Sequence, residues 1–144
     1  MKIKFSTWLS PVLIVLILLD LFYAVICFFF PQMWFSMFHG TPYDDPEGLL
    51  RRTGAIWATF SLLQLIALLR YRQQPYWVAV IAGVRLSEIF ADWTYLAFAQ
   101  NMTAFGRIGL LAASPSNMII SWYFLRSYWE LASAAAAGEK TGGS

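Results

Sequence analysis

Residues 85–93 of the chain read Arg85-Leu86-Ser87-Glu88-Ile89-Phe90-Ala91-Asp92-Trp93. This stretch places three ionisable side chains inside a hydrophobic run that is otherwise typical of a membrane-spanning helix. A charged group in the hydrocarbon of a bilayer is costly, so such groups usually face the interior of a helix bundle and find partners there. We therefore expect this segment to lie at the centre of several packed helices.

The composition around this stretch is that of a membrane protein. Of the 144 residues, 59% are hydrophobic and only 12% are charged, whereas soluble domains contain about 25% charged residues. At about 20 residues per crossing, this length holds four membrane spans and little else. The formal net charge of +2 and the lack of a dense basic run argue against a nucleic-acid partner.

Few residues of the chain could hold a cofactor. The single cysteine, Cys27, argues against an internal disulfide and a cysteine-based zinc site. The single histidine, His39, argues against a haem held by two histidines of this chain. We therefore expect no metal and no cofactor bound by this chain alone. Its many aromatic side chains suit contact with lipid, a quinone or a pigment.

Hydrophobic runs predict an all-α integral membrane protein, a four-transmembrane-helix bundle in one domain over residues 1–130. The four helices are expected at about 8–30, 46–70, 76–99 and 108–129. Asp45-Pro46-Glu47 is typical of a helix start, because aspartate caps a helix and proline suits its first turn. Ser114-Pro115 is expected to kink or break the fourth helix. Residues 131–144 are predicted to form a flexible polar tail.

The basic residues predict the orientation of the spans, because cytoplasmic loops carry an excess of lysine and arginine. With the N-terminus inside, the inner side holds Lys2, Lys4, Arg70, Arg72, Arg126 and Lys140. The outer side then holds Arg51, Arg52 and Arg107 beside the acids Asp44, Asp45 and Glu47. We expect both termini on the cytoplasmic side of a bacterial inner membrane. If the fourth helix begins only at Pro115, Arg126 lies deeper and becomes a candidate partner for Glu88 or Asp20.

Helical periodicity predicts which sides of the spans face protein. On the third span, Arg85, Glu88 and Asp92 fall within about 60° of one another. Small or polar residues form further stripes suited to close packing. These stripes are Asp20, Tyr23, Ala24 and Cys27 on the first span, Gly54, Trp57, Ala58, Ser61 and Gln64 on the second, and Gly83, Ser87, Ala91 and Thr94 on the third.

The candidate site is a cluster of six ionisable residues: Asp20, Arg51, Arg52, Arg85, Glu88 and Asp92. At about 1.5 Å per residue, Asp20 and Glu88 lie at the same depth. Arg85 is therefore expected to pair with Asp20 or Glu88. Asp92 points toward the outer end and is expected to pair with Arg51 or Arg52.

Three interpretations of these charges stay open, one of which is that they pair with another protein chain. In the first, the ion pairs fix helix register and partner choice. In the second, one carboxyl stays unpaired and exchanges a proton in a dry cavity, for which Glu88, Asp92 and Asp20 are the candidates.

Three functions follow from these interpretations. The favoured one is a non-catalytic accessory or assembly subunit of a larger redox or energy-transducing membrane complex, packed against other subunits or a second copy. The alternative is a membrane-embedded enzyme or binding protein for a quinone, sterol or isoprenoid. Its acid–base groups would come from Arg85, Glu88, Asp92 and Asp20, with Trp57 and Tyr95 lining the pocket. A small transporter is disfavoured, because one four-helix unit without a repeat rarely forms an alternating-access pathway.

One family resemblance rests on Arg52-Thr53-Gly54-Ala55, which opens the second span, together with the charged third span. This pattern resembles the small four-helix DoxX-like bacterial membrane proteins over about the middle half of the chain. The resemblance implies a four-helix bundle and an association with membrane redox partners. It transfers no site residues, and the long aromatic first loop departs from the family's pattern.

Overall fold

The structure, a computed structural model, describes residues 5–141. Those residues form one 3₁₀-helix and five α-helices, with no strand among them. The elements are the 3₁₀-helix Phe5–Trp8, α1 (Leu9–Phe29), α2 (Pro31–Phe38), α3 (Leu49–Arg70), α4 (Tyr76–Phe98) and α5 (Ala104–Thr141). Lys2 and Lys4, which entered the predicted orientation, lie outside the described residues, as do the last three residues of the predicted tail.

Three helical segments are long and apolar enough to cross a membrane: Phe5–Phe29, Leu49–Arg70 and Ala104–Ala137. The predicted all-α class is therefore confirmed for the described residues. With 23 residues, α4 has a similar length. It differs because every stretch of 18 residues in α4 contains Arg85, Glu88 and Asp92, whereas each of the other three segments has an apolar stretch of that length with at most two charged residues.

The four long helices pack as two pairs. α1 packs mainly on α3, α4 packs mainly on α5, and a smaller contact between α3 and α4 joins the pairs. At one end, the backbone N–H of Ser6 donates to Glu130 Oε2 at 3.1 Å, so the chain start lies beside the later part of α5. At the other end, the N–H of Thr103 donates to the carbonyl of Phe38 at 2.8 Å. Successive long helices therefore run antiparallel.

Gly54 allows α3 to approach α1 closely. A Cβ atom added there would lie 2.9 Å from the Cβ of Cys27 and 3.3 Å from the carbonyl oxygen of Ala24. Further along, the Ser61 hydroxyl donates to the carbonyl of Ile17 at 3.2 Å. The small and polar stripes predicted on the first two spans thus meet, although Ala58 is exposed.

Asp45 caps α3, but it lies further before the first residue of that helix than the sequence predicted. The helix begins at Leu49 rather than at about residue 46, after Gly48 at φ +69°. The Asp45 carboxylate accepts the backbone N–H groups of Leu49 at 2.8 Å and Leu50 at 2.9 Å. Partial desolvation acts to raise the pKa of Asp45. These two donors, with Tyr43 and Arg51, outweigh it and hold that pKa below its ordinary value.

The last helix is longer than predicted. α5 is one helix from Ala104 to Thr141, with Pro115 inside it, so neither the break at Pro115 nor a tail beginning at residue 131 is present. Beside Pro115, the buried Ser114 donates a hydrogen bond to Asp92 of α4 at 3.4 Å, so α5 packs on α4 at this point. Residues 134–137 are all alanine, the strongest helix former. Arg126 is exposed near the Phe5 ring, with its Cζ 5.8 Å from the ring centroid, and does not contact Glu88 or Asp20.

The predicted small-residue face of α4 does not pack within this chain. Gly83, Ser87, Ala91 and Thr94 are all exposed. A Cβ atom added at Gly83 would meet nothing within 4 Å. α4 is therefore covered on its charged side and open on the neighbouring small side.

Candidate functional site

Asp20 and Arg85 form an ion pair between the helices. Oδ2 of Asp20 accepts a hydrogen bond from Nη2 of Arg85 and a second from Nε2 of Gln64, the latter at 2.5 Å. Asp20 is 1% exposed and Arg85 is 3% exposed. Because these residues belong to α1, α4 and α3, one carboxylate connects three helices. The structure thus pairs Arg85 with Asp20 rather than with Glu88.

The other members of the predicted cluster lie apart from this pair. Asp92 is reached by the Ser114 hydroxyl of α5, at 3.4 Å. Arg51 and Arg52 are exposed in the first turn of α3, where Nη1 of Arg51 lies 3.4 Å from the hydroxyl of Tyr43. The structure does not bring Asp92 to either arginine, because Asp92 faces α5. Within residues 5–141, Asp20–Arg85 is the one ion pair.

A cavity of about 340 Å³ lies beside the ion pair and is called the inner cavity here. Its polar wall consists of Asp20, Arg85, Glu88, Ser116 and Asn117. Its other walls are apolar, and five aromatic side chains contribute to them: Tyr23, Trp34, Phe38, Trp57 and Phe105. Glu88, which is half-buried, lines this space without joining the ion pair. The cavity therefore combines a small polar region with a large apolar one.

The polar wall has unused hydrogen-bonding capacity. A guanidinium group carries five N–H donors, yet Nε of Arg85 is buried without a partner among the described residues. Oε1 of Gln64 also lacks a partner there. A buried donor left unpaired costs about 1–3 kcal/mol. Arg85 therefore has a hydrogen-bond donor for which the described residues supply no acceptor.

The inner cavity opens sideways between α1 and α5. Leu19 of α1 and Ala112 and Ser116 of α5 line it and are also exposed on the outside of the bundle. These two helices each pack mainly on another helix, and the α5 residues at the opening are small. A molecule could therefore reach Arg85 between these two helices without passing the ends of the bundle.

A second space of about 800 Å³, the outer groove, lies between α2, the start of α3 and the end of α4. In it, Nε2 of His39 is hydrogen-bonded to the hydroxyl of Tyr95. Trp34 and Trp57 line both the groove and the inner cavity, and their ring centroids are 5.3 Å apart. They form the wall between the two spaces.

Sequence reasoning identified part of this site and missed the rest. Trp57 and Tyr95 were expected to line one pocket; Trp57 lines both spaces, whereas Tyr95 lines only the outer groove. Trp34 and the His39–Tyr95 contact were missed, since α2 was expected to be part of a loop. The signal available for α2 was Pro31 at the start of an apolar aromatic run, which is typical of a helix N-terminus.

The arrangement can bind an apolar molecule that carries a small polar group. Arg85 offers hydrogen-bond donors, Glu88 offers a carboxyl group, and the aromatic walls offer apolar contact. The resemblance to DoxX-like proteins stays a prediction. Comparison with protein-family models, with curated proteins and with solved structures finds no match for this chain.

Proposed function

We propose that this chain is a four-span protein of the bacterial inner membrane that binds a lipophilic molecule in the inner cavity. The observation that carries the proposal is the buried Arg85, with donors unused by the protein, on the wall of an otherwise apolar cavity. Such a cavity, apolar with a few convergent polar groups, has the character of a small-molecule site. Quinones, sterols and isoprenoids are the lipophilic classes that suit it.

The four-span topology is supported by the length and position of α4. At about 1.5 Å per residue, its 23 residues extend about 34 Å, and the hydrocarbon core of a bilayer is about 30 Å thick. α4 is antiparallel to both neighbouring spans in the chain, and Arg85 and Glu88 face the inner cavity. The sequence carries six basic residues on the predicted inner side against Arg51, Arg52 and Arg107 on the outer side, which favours both termini in the cytoplasm.

The cavity itself favours binding over a purely structural role for the charges. Fixing the register of α1, α3 and α4 requires only the Asp20–Arg85 pair and Gln64. It does not require an empty space beside them. Protein interiors are close-packed, and atoms that line a void lose attractive contacts. A ligand of about 340 Å³ would restore those contacts.

The test is to fill the inner cavity and measure what the purified protein retains. Ala113 of α5 lines the cavity, and Ala113→Phe places a ring in it. Ala97→Phe is the matched control, since Ala97 is exposed on α4 and lines neither space. Lipid extraction and native mass spectrometry should find a bound lipophilic molecule in the wild type and in Ala97→Phe, but not in Ala113→Phe. Equal retention by all three proteins would refute the proposal.

An accessory-subunit role is the second candidate, and the open side of α4 supports it. Gly83, Ser87, Ala91 and Thr94 are exposed there, and small residues in a membrane helix allow another helix to approach closely. The partner would be a subunit of a redox or energy-transducing complex, or a second copy. Gly83→Ile should then reduce the size of the species in mild detergent, while Leu86→Ile should not. A wild type that migrates as a single chain would remove this candidate.

A further inference from the structure

We propose that the ligand of the inner cavity is a neutral lipid alcohol whose hydroxyl group bridges Arg85 and Glu88. This inference rests on the proposed binding function and narrows it to one chemical class. The hydroxyl accepts a hydrogen bond from the guanidinium and donates one to an oxygen of the Glu88 carboxyl group. The hydrocarbon part of the alcohol lies against the apolar walls.

The Arg85 side of the site requires an acceptor. Asp20 accepts from Nη2, and neither Nη1 nor the fully enclosed Nε of Arg85 has a partner among the described residues. Asp20 is itself held by Gln64 at 2.5 Å, so the guanidinium is fixed in place before a ligand arrives. A ligand oxygen at this wall would receive a donor that the protein leaves unused.

Glu88 places an acceptor within reach of the same ligand atom. It lies three residues after Arg85 on α4 and lines the same cavity. Side chains three residues apart share one face of a helix, with Cβ atoms about 5–6 Å apart. A single oxygen atom between their polar ends can therefore contact both.

The charges at this wall select a neutral head that both donates and accepts. Asp20 balances the charge of Arg85, so the ion pair has no net charge for an anionic or cationic head to neutralise. A ketone or quinone oxygen only accepts, so it offers no donor to the oxygens of Glu88. A hydroxyl group both donates and accepts.

The shape of the site indicates that the alcohol belongs to a membrane lipid. The cavity opens to the outside of the bundle between α1 and α5, past Leu19 and Ala112. A prenol and a sterol each provide one hydroxyl group on a large hydrocarbon body and reside in the bilayer. The hydroxyl enters first, and the remainder of the molecule follows from the lipid side.

Matched probes test this inference on the full chain in nanodiscs of one phospholipid. Geranylgeraniol is compared with its methyl ether and its parent hydrocarbon, and cholesterol with its methyl ether, so that the two lipid sources are separated. Binding is followed by tryptophan fluorescence, because Trp34 and Trp57 line the cavity. At least one alcohol should bind about tenfold more tightly than its ether, as expected for one additional hydrogen bond.

Three variants assign that preference to the site. Glu88→Leu should bind the alcohol as weakly as the ether, whereas Glu88→Gln, which keeps an acceptor, should retain most of the preference. Ala113→Phe should abolish binding of every probe. If Glu88→Leu does not fold, the comparison of alcohol and ether on the wild type decides alone.

The outcomes separate this inference from the binding function. Equal affinity for alcohol, ether and hydrocarbon, all abolished by Ala113→Phe, would overturn the lipid-alcohol inference and leave the binding function standing. Binding of no probe, or binding that Ala113→Phe does not change, would overturn both.

Discussion

Replacing Arg85 by methionine is expected to destabilise the folded protein by about 3–5 kcal/mol, the usual cost of removing one partner of a buried ion pair. The structure supports this range because Asp20 is 1% exposed and Arg85 is its one charged partner among the described residues. After the substitution, only the Gln64 amide still donates to the carboxylate. At 1.4 kcal/mol per tenfold, the equilibrium constant for unfolding would rise by roughly a hundredfold to a few thousandfold.

The measurement is equilibrium unfolding in mixed detergent micelles, followed by tryptophan fluorescence. Arg52→Met is the matched control, because Arg52 is exposed and forms no ion pair, and it should change stability by less than about 0.5 kcal/mol. The double variant Asp20→Asn, Arg85→Met removes both charges and should recover most of the loss. Either of two results would refute the reasoning. One is that Arg85→Met lowers the free energy of unfolding no more than Arg52→Met does. The other is that the loss in the double variant equals the sum of the losses in the two single variants.

Two further predictions concern α3. Gly54→Ala should destabilise the protein by about 1–3 kcal/mol, because the new Cβ would lie 2.9 Å from the Cβ of Cys27. Gly83→Ala on α4 is the control, since its new Cβ would meet nothing within 4 Å. It should stabilise the protein by up to about 1 kcal/mol. Equal melting temperatures for these two variants would contradict the close approach of α3 to α1. Asp45→Ala should cost about 1 kcal/mol at pH 7 through loss of the cap, and Asp45→Asn less. Because the folded-state pKa of Asp45 lies below its ordinary value, the contribution of its charge is complete above that ordinary value and is lost as the pH falls through the folded-state pKa. The difference in melting temperature between wild type and Asp45→Ala should therefore shrink between pH 7 and pH 3, and a constant difference would contradict the assignment.

The sequence allowed the helical class and the inward faces of two spans to be predicted, because both follow from the chain's own periodicity. Charges in an apolar run must face protein, and Asp20 and Arg85 do so. Gly54 lies where the small stripe of the second span required a close contact. These features depend on one helix at a time.

Features that depend on which helices become neighbours could not be predicted in the same way. A helical wheel gives the angle of Asp92 on α4, but not that α5 rather than α3 lies opposite it. For the same reason, the small face containing Gly83 was expected to be covered and is exposed. The inner cavity is a property of four packed helices, and no local pattern indicates its volume.

The length of α5 has a mechanical consequence. At about 1.5 Å per residue, its 38 residues extend about 57 Å, whereas a bilayer core occupies about 30 Å. In the proposed four-span arrangement, a portion of α5 some 20 Å or more long would project from the bilayer on the side where α1 begins. A group attached at Thr141 would then stand off the lipid headgroups, and each added or deleted residue would rotate it by about 100° around the helix axis.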